Sequence, residues 1–339
     1  MTADLFSHFL SIIAFIILVA LVFDFINGFH DAANSIATVV STQVLKPYQA
    51  VIWAAFFNFV AAFLFGTQVA KTVGTGIINP HIVDNILILS ALGGAIIWNL
   101  ITWWLGLPSS SSHALIGGLI GAGLVKGGMQ VLIWKGIIKT ASFIVLSPVI
   151  GLSLGLIIMI VVLNLSRHSN VAKSNRIFKR LQLLSAATYS ISHGMNDAQK
   201  TMGIIAMVLF SSGHLGNSFH IPYWIVISCY LVIGLGTLSG GWRIVKTMGT
   251  KITKLQPMGG FCAETAAAIS IIGASVAGIP VSTTHTITGA IMGVGATRRL
   301  SAVRWGVAGT IIWAWILTIP ISGLIAAGIC FFFKTFLIF

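Results

Sequence analysis

Charged residues are scarce in this sequence. Only 7% of its 339 residues are charged, six of them acidic, whereas 57% are apolar. A soluble domain needs a charged surface toward water, so this composition excludes an ordinary soluble globular protein. Apolar windows of about 20 residues, which can cross roughly 30 Å of hydrocarbon, recur along the chain. The sequence therefore predicts an all-α polytopic membrane protein whose main solvent is the lipid bilayer.

Two further classes are excluded by what is missing. The three cysteines, Cys229, Cys262 and Cys330, stand far apart with no CxxC spacing, which argues against a disulfide framework and against a zinc site. We therefore expect no structural metal and no cofactor. The first apolar window, 9–29, has no Lys or Arg before it and no small-residue cleavage site after it. It is interpreted as a membrane span and not as a cleaved signal peptide.

The net charge of +13 comes from basic residues in short segments between the apolar windows. In a soluble protein this charge would suggest a nucleic-acid partner. Here it indicates the membrane topology, because loops rich in Lys and Arg stay in the cytoplasm. Three basic clusters, within 167–180, 243–254 and 298–304, are therefore assigned to the inside, and both chain termini to the outside. A fourth basic segment, 126–139, then falls outside, against the rule.

Ten membrane crossings follow from the apolar windows and this topology. Two of them are short and Gly-rich, and each of these is either a full span or a re-entrant hairpin. The predicted crossings lie near 9–42, 48–70, 86–106, 109–125, 141–165, 183–211, 222–240, 258–278, 281–297 and 304–333.

The chain is also internally repeated. Residues 106–123 read GLPSSSSHALIGGLIGAG and align without a gap to residues 278–295, GIPVSTTHTITGAIMGVG. A second pair, GFHDAANS from Gly28 and GMNDAQKT from Gly194, keeps Gly, Asp and Ala in register. Matched motifs in the same order indicate two homologous units.

These units divide the chain into a first transmembrane repeat over 1–165, a basic cytoplasmic linker over 166–180 and a second transmembrane repeat over 181–339. With about five crossings each, an odd number, the two repeats have inverted topology in the bilayer, as in many secondary transporters. Broken helices or hairpins are expected at the midplane.

Acidic residues inside apolar runs are candidates for function, since burying an ionisable group costs about 2.5–3.5 kcal/mol on insertion scales. Asp31 and Asp197 occupy equivalent points of the two repeats, and Asp24 and Glu264 lie in apolar stretches. All four are candidate sites for a coupling ion. A structural interpretation stays open for Asp197, which can pair with Lys200 on the same helix face.

Hydroxyl residues mark a predicted helix N-terminus in each repeat. Pro108 and Pro280 each precede a Ser/Thr run and then a Gly-rich apolar segment. Pro disfavours helix at the residue before it, and Ser and Thr are preferred N-caps. Unpaired amides at the positive end of a helix dipole suit a tetrahedral oxyanion, with ordinary capping as the alternative. The runs comprise Ser110, Ser111 and Ser112 in the first repeat and Ser282, Thr283 and Thr284 in the second.

Two histidines and four glycines follow these runs. His113 and His285 are each either a proton carrier, and so a coupling-ion candidate, or a capping side chain in a polar pocket. Small residues four apart on one helix face allow close helix packing and are expected to bind nothing. They are Gly117 with Gly121, and Gly289 with Gly293.

Four motifs together resemble the inorganic phosphate transporter (PiT) family over essentially the whole chain. They are GFHDAANSIATVV from Gly28, GLPSSSSH from Gly106, SHGMNDAQKTMG from Ser192 and GIPVSTTH from Gly278. The resemblance implies an inverted-repeat transporter, a homodimer, and inorganic phosphate held between the repeats. Because the chain has no large hydrophilic insertion, it resembles a compact, low-affinity bacterial member of the cytoplasmic (inner) membrane.

When the resemblance is carried over residue by residue, it implies phosphate ligands from the Asp/Asn motifs and the Ser/Thr helix ends. We add the adjoining residues Ser112 and Lys200 to the predicted set of ligands. The residues carried over are Asp31, Asn34, Ser110, Ser111, Asp197, Ser282, Thr283 and Thr284.

Lys200 stands where the sodium-coupled relatives have Asn, opposite Asn34 of the first repeat. A fixed ammonium disfavours a cation beside it and offsets part of the phosphate charge. We therefore favour coupling to protons, or carriage of a neutral complex of phosphate with a divalent cation, over coupling to sodium. The carboxylates of Asp31 and Asp197 repel an anion unless they are protonated or paired with cations, which favours cation-coupled symport.

Two other functions stay open at this point. A sulfate permease of the same fold would also use hydroxyl-lined helix ends, but protonated phosphate can donate hydrogen bonds to carboxylates and sulfate cannot. An intramembrane hydrolase would need one cluster of nucleophile, base and orienting group, whereas this sequence duplicates its polar groups. A transporter is therefore preferred to an enzyme.

Overall fold

The computed structural model describes residues 3–64 and 66–336, and within them the side chains from residue 12 onward. The described chain is nearly all-helical and contains no strand beyond one isolated bridge between Ile78 and Leu132. Its helices are α1 (Ala3–Ser41), α2 (Pro47–Val60), α3 (Gln68–Gly76), α4 (Asn85–Leu105), α5 (Ser111–Gly127), α6 (Trp134–Ser166), α7 (Val171–Ser211), α8 (Tyr223–Ser239), α9 (Trp242–Lys246), α10 (Pro257–Val276), α11 (Thr283–Ala296) and α12 (Trp305–Phe336).

Five of the described helices are long and apolar enough to cross a membrane alone: α1, α4, α6, α10 and α12. Two bent pairs can each supply one further span. The helical segments Tyr223–Ser239 and Trp242–Lys251 meet at 62°, and Pro47–Phe63 and Gln68–Gly76, on either side of the undescribed residue 65, meet at 82°. The prediction of an all-α, multi-pass membrane protein is confirmed, and the two bent pairs fall at equivalent places in the two repeats.

The two Gly-rich segments form short helices that begin at the predicted N-termini. In α5 the Ser110 hydroxyl accepts a hydrogen bond from the amide of His113 at 3.3 Å, and in α11 the Ser282 hydroxyl accepts one from the amide of His285 at 3.2 Å. At 1.5 Å per residue these helices are about 26 and 21 Å long, shorter than the roughly 30 Å of a hydrocarbon core. Each is therefore a short helix entered from a non-helical polar segment.

Equivalent helices of the two repeats run antiparallel beside each other. Asp24, near the middle of α1, accepts a hydrogen bond at 2.8 Å from Thr201, near the end of α7. Eighteen residues further along the chain, at the end of the first span, Thr42 donates to Gln182 at 2.9 Å. Residue numbers thus rise along α1 while they fall along α7. Since these helices carry the two matched Asp motifs, the repeats have opposite orientation, as predicted.

The short helices pack across the repeats. A side chain on Gly117 or Gly121 of α5 would overlap the backbone of α12, and one on Gly289 or Gly293 of α11 would overlap the backbone of α6. Only glycine permits such close approach, so the prediction that these residues serve helix packing is confirmed. Each repeat therefore supplies the helix that covers the other repeat's short helix.

Most of the predicted linker 166–180 is helical, because α6 ends at Ser166 and α7 begins at Val171. Asn170 caps α7 by accepting a hydrogen bond from the amide of Ala172 at 2.8 Å. Apart from Arg167, which follows α6, the Lys and Arg residues of the linker therefore lie on the first turns of α7, outside its buried polar stretch.

Candidate functional site

The N-terminus of α11 joins the two repeated aspartates. Thr283 donates a hydrogen bond to Oδ2 of Asp197 at 2.9 Å, and Thr284 lies 3.5 Å from Oδ1 of Asp31, a long contact of the same kind. Asn34 donates to the Thr284 hydroxyl at 2.8 Å and approaches that of Thr283 at 3.4 Å. All five side chains are buried. Residues from α1, α7 and α11 thus form one polar network.

Lys200 brings the N-terminus of α5 into the same network. Its ammonium is only 2% exposed, and it donates to Asp197, to the hydroxyl of Ser112, and to the carbonyl oxygen of Val281 at 2.9 Å. An ammonium has three donors, and all three are used. Under the internal repeat, the contact between Lys200 and Ser112 corresponds to that between Asn34 and Thr284. The site is therefore built twice, with an ammonium in one half and an amide in the other.

Each aspartate also has a histidine beside it. Nδ1 of His30 lies 2.7 Å from Oδ1 of Asp31, and its Nε2 lies 3.1 Å from the hydroxyl of Thr102. Nε2 of His193 lies 3.0 Å from Oδ2 of Asp197, and its Nδ1 lies 3.2 Å from the side-chain oxygen of Asn58. The outer nitrogens are held by neighbouring helices, which fixes both imidazoles against the carboxylates.

Three side chains of the network offer ligand atoms that suit a cation. Asp31, His193 and Asp197 each offer one ligand atom, and these atoms lie within 4.8 Å of one another. Two carboxylates and one ammonium leave the centre one negative charge in excess when the imidazoles are neutral. An entering anion therefore requires a proton or a further cation nearby, because buried like charges repel strongly.

Glu264 forms a separate cluster. Its carboxylate accepts hydrogen bonds from Thr38 at 2.5 Å, from Gln182 at 3.1 Å and from Ser185. Thr38 lies two turns beyond Asp31 on α1, so this cluster stands apart from the two aspartates. Three donors stabilise a buried carboxylate, and Glu264 joins α10 to α1 and α7.

The other predicted residues lie around the network. Ser110 and Ser282 are helix caps, and the Ser111 hydroxyl is buried without a hydrogen-bond partner among the described residues. The rings of His113 and His285 meet behind the helix ends, with centroids 4.8 Å apart, and among the described residues neither forms a hydrogen bond to the aspartates. Asp24 accepts a hydrogen bond from Thr201 and is not hydrogen-bonded to the residues of the network.

Sequence reasoning missed both histidines of the network. The signals were present: His30 directly precedes Asp31, and His193 precedes Asp197 by four residues, the spacing that puts two side chains on one helix face. Their outer partners on α2 and α4, by contrast, carry no local signal, because these contacts join distant parts of the chain.

Comparison with known proteins gives consistent matches. A profile described as the phosphate transporter family matches residues 27–326. The chain is 60% identical to a Rhizobium meliloti (strain 1021) protein named "Probable low-affinity inorganic phosphate transporter", over 94% of this chain and 95% of that protein. It is 48% identical to a Bacillus subtilis (strain 168) protein of the same name, over 92% and 94%.

A solved structure, "The sodium-dependent phosphate transporter", has a TM-score of 0.88 at 28% identity and covers 96% of this chain and 100% of its own. The names of these relatives confirm the prediction of a transporter and not an enzyme. The family match covers well over half of the chain, and the described residues have the fold of a solved transporter. This chain belongs to the phosphate transporter family, as its motifs predicted.

Proposed function

We propose that this protein imports inorganic phosphate by cation-coupled symport. Phosphate would bind where the N-termini of α5 and α11 meet α1 and α7, between the two repeats. The relatives are named for inorganic phosphate, which supports the substrate. The proposed ligands are Asp31, Asn34, Ser110, Ser111, Ser112, Asp197, Lys200, Ser282, Thr283 and Thr284.

The observation that carries the proposal is the environment of Lys200. Its ammonium is buried at the point where both short helices and the Asp197 carboxylate come together. A buried cation beside the N-termini of two helices that begin with hydroxyl residues suits a tetrahedral oxyanion. The hydroxyls of Thr283 and Ser112 now bond to Asp197 and Lys200, and each can turn to a phosphate oxygen without leaving the helix end.

Phosphate is favoured over sulfate by the acids of the site. Asp31 and Asp197 can accept hydrogen bonds from the protonated oxygens of phosphate, whereas sulfate has no proton to donate and meets two repelling carboxylates. Sulfate permease is the alternative function of the same site.

The coupling cation is proposed to be a proton, or a divalent cation carried with phosphate, before sodium. Lys200 occupies the position that matches Asn34 of the first repeat, and its ammonium repels a bare cation beside it, whereas a neutral complex of phosphate with a divalent cation has no net charge to be repelled. Asp31, His193 and Asp197 offer mixed nitrogen and oxygen ligands, which suit a divalent ion better than sodium. Sodium is the rival, since the structural relative is named as sodium-dependent.

Location and assembly complete the proposal. The apolar helices and the basic segments between them support a multi-pass protein of the bacterial cytoplasmic membrane with both termini outside. The resemblance to the PiT family supports a homodimer. The repeats 1–165 and 181–339 with the linker 166–180 stay the proposed division of the chain.

Uptake of labelled phosphate into proteoliposomes tests these proposals together. We expect saturable uptake that rises with an imposed inward proton gradient, is nearly indifferent to sodium, and is not inhibited by a tenfold excess of sulfate. Divalent cations are added and chelated in parallel to separate free phosphate from a metal complex. Uptake of sulfate at the rate of phosphate would overturn the substrate, and uptake driven by sodium alone would overturn the coupling.

A further inference from the structure

Asp24 is a fully buried acid on α1, two turns before Asp31. One carboxylate oxygen accepts a hydrogen bond from Thr201 at 2.8 Å. The other oxygen has no hydrogen-bond partner among the residues that the structure describes. The side-chain oxygen of Asn27, one turn further along α1, is also buried and unpartnered there. Two neighbouring buried acceptors, the second carboxylate oxygen of Asp24 and the side-chain oxygen of Asn27, therefore have no donor among the described residues.

The other intramembrane acids are better compensated. Asp197 has an ammonium and an imidazole beside it, Asp31 has an imidazole, and Glu264 accepts three hydrogen bonds. An ionised Asp24 would have one hydrogen bond and no cation beside it among the described residues, an arrangement that is costly in a buried site.

In the part of the chain that the structure describes, the titratable side chains that interact electrostatically with Asp24 from the helices packed against it do not include a cation. They are Asp197 on α7, which is of like charge, and Cys229 and Tyr230 on α8. Lys200 precedes Thr201 on α7, but its three donors are directed to Asp197, Ser112 and the carbonyl of Val281.

We infer that Asp24 is the residue that binds the coupling proton, while phosphate binds at the network two turns away. The proton adds to the unpartnered oxygen of Asp24 and can be donated to the side-chain oxygen of Asn27. The Asn27 oxygen then has a donor, and the Asp24 oxygen is no longer an unpartnered acceptor. It also removes one negative charge from the surroundings of Asp31 and Asp197, so phosphate binding and proton binding favour each other. This inference rests on the proposed phosphate symport.

The test compares two transport modes of purified Asp24→Asn in proteoliposomes. Phosphate accumulation driven by a proton gradient requires that the proton be bound and released, whereas exchange of labelled for unlabelled phosphate at equal pH does not. We expect Asp24→Asn to lose accumulation, falling to the level reached without a gradient, and to keep exchange within about threefold of the wild type. Asp84→Asn changes an acid that is 37% exposed and caps α4, and it is the matched control, expected to keep both modes.

The outcomes separate the inference from the proposed function. If the wild type moves phosphate in neither mode, the proposed function fails. If the wild type accumulates phosphate and Asp24→Asn does so equally, or if folded Asp24→Asn loses exchange as well, the assignment of Asp24 is overturned. It is also overturned if Glu264→Gln alone shows loss of accumulation with exchange retained. Should Asp24→Asn not be monodisperse in detergent, Asp24→Ser, which also lacks the carboxyl group, is measured in the same way and judged by the same criteria.

Discussion

Replacing Lys200 by Asn is the sharpest test of how the site balances charge. The change removes an ammonium that donates to Asp197, to Ser112 and to the carbonyl of Val281. It leaves Asp197 with the imidazole of His193 and the hydroxyl of Thr283. It also gives the second repeat the residue type that the first repeat has at the matching position.

The expected effect on phosphate binding follows from the loss of one charged donor. A hydrogen bond to a charged group contributes about 1.5–3 kcal/mol net. Since about 1.36 kcal/mol corresponds to a factor of ten, phosphate should bind roughly 10- to 150-fold more weakly to Lys200→Asn in sodium-free buffer. Added sodium should recover part of this loss, because a cation beside Asp197 can replace the missing charge.

Phosphate affinity of the purified variant, measured by calorimetry in buffers with and without sodium, checks this expectation. Lys126→Asn is the matched control, because Lys126 also pairs with an acid, Asp84, but at a surface where its side chain is 36% exposed. That pair is expected to contribute little, and the control should bind as the wild type does. An affinity of Lys200→Asn within twofold of the wild type, with no response to sodium, would refute the role given to the ammonium.

Two further predictions concern the aspartates and the glycines. Asp31→Asn and Asp197→Asn should each reduce phosphate uptake at least tenfold while the protein stays monodisperse in detergent, because each removes a carboxylate of the shared network. If either variant takes up phosphate within twofold of the wild type, that aspartate is not part of the site. Gly293→Val should prevent stable folding, because the added side chain would overlap the backbone of Leu152, whereas Gly273→Val, at a position open within 4 Å, should give a normal size-exclusion profile. Equal profiles for the two variants would contradict the close packing of α11 against α6.

Local pattern was sufficient to predict the helix starts of the site. Proline and a hydroxyl run act locally, so a helix start at each Ser/Thr run could be predicted from the residues alone, and the structure identifies the capping residues as Ser110 and Ser282. The internal repeat then predicted that the two halves of the chain have opposite orientation. This is confirmed by the antiparallel arrangement of α1 and α7, which are joined by the hydrogen bonds of Asp24 with Thr201 and of Thr42 with Gln182.

The contacts of Glu264, and those of Lys200 beyond its pairing with Asp197, could not be predicted in this way. Gln182 and Ser185, both donors to Glu264, are separated from it by 82 and 79 residues, and hydropathy carries no signal of such pairing. Asp197 lies three residues from Lys200 on the same helix face, and this pair was put forward from the sequence, but the other two acceptors of Lys200 come from α5 and from the segment before α11. Sequence pattern identified charged groups inside the membrane, but which of them are compensated depends on long-range packing.

The short helix of each repeat is packed against a helix of the other repeat, and this arrangement has a consequence for biosynthesis. The glycine face of α5 is synthesised early, but α12, whose backbone covers it, leaves the ribosome about 180 residues later, on the order of 10–40 s at ordinary elongation rates. Until then α5 must be sheltered by lipid or by the insertion machinery. A nascent chain that stops before Trp305 would expose this face in the membrane and become a substrate for quality-control proteases, even though its first repeat is complete.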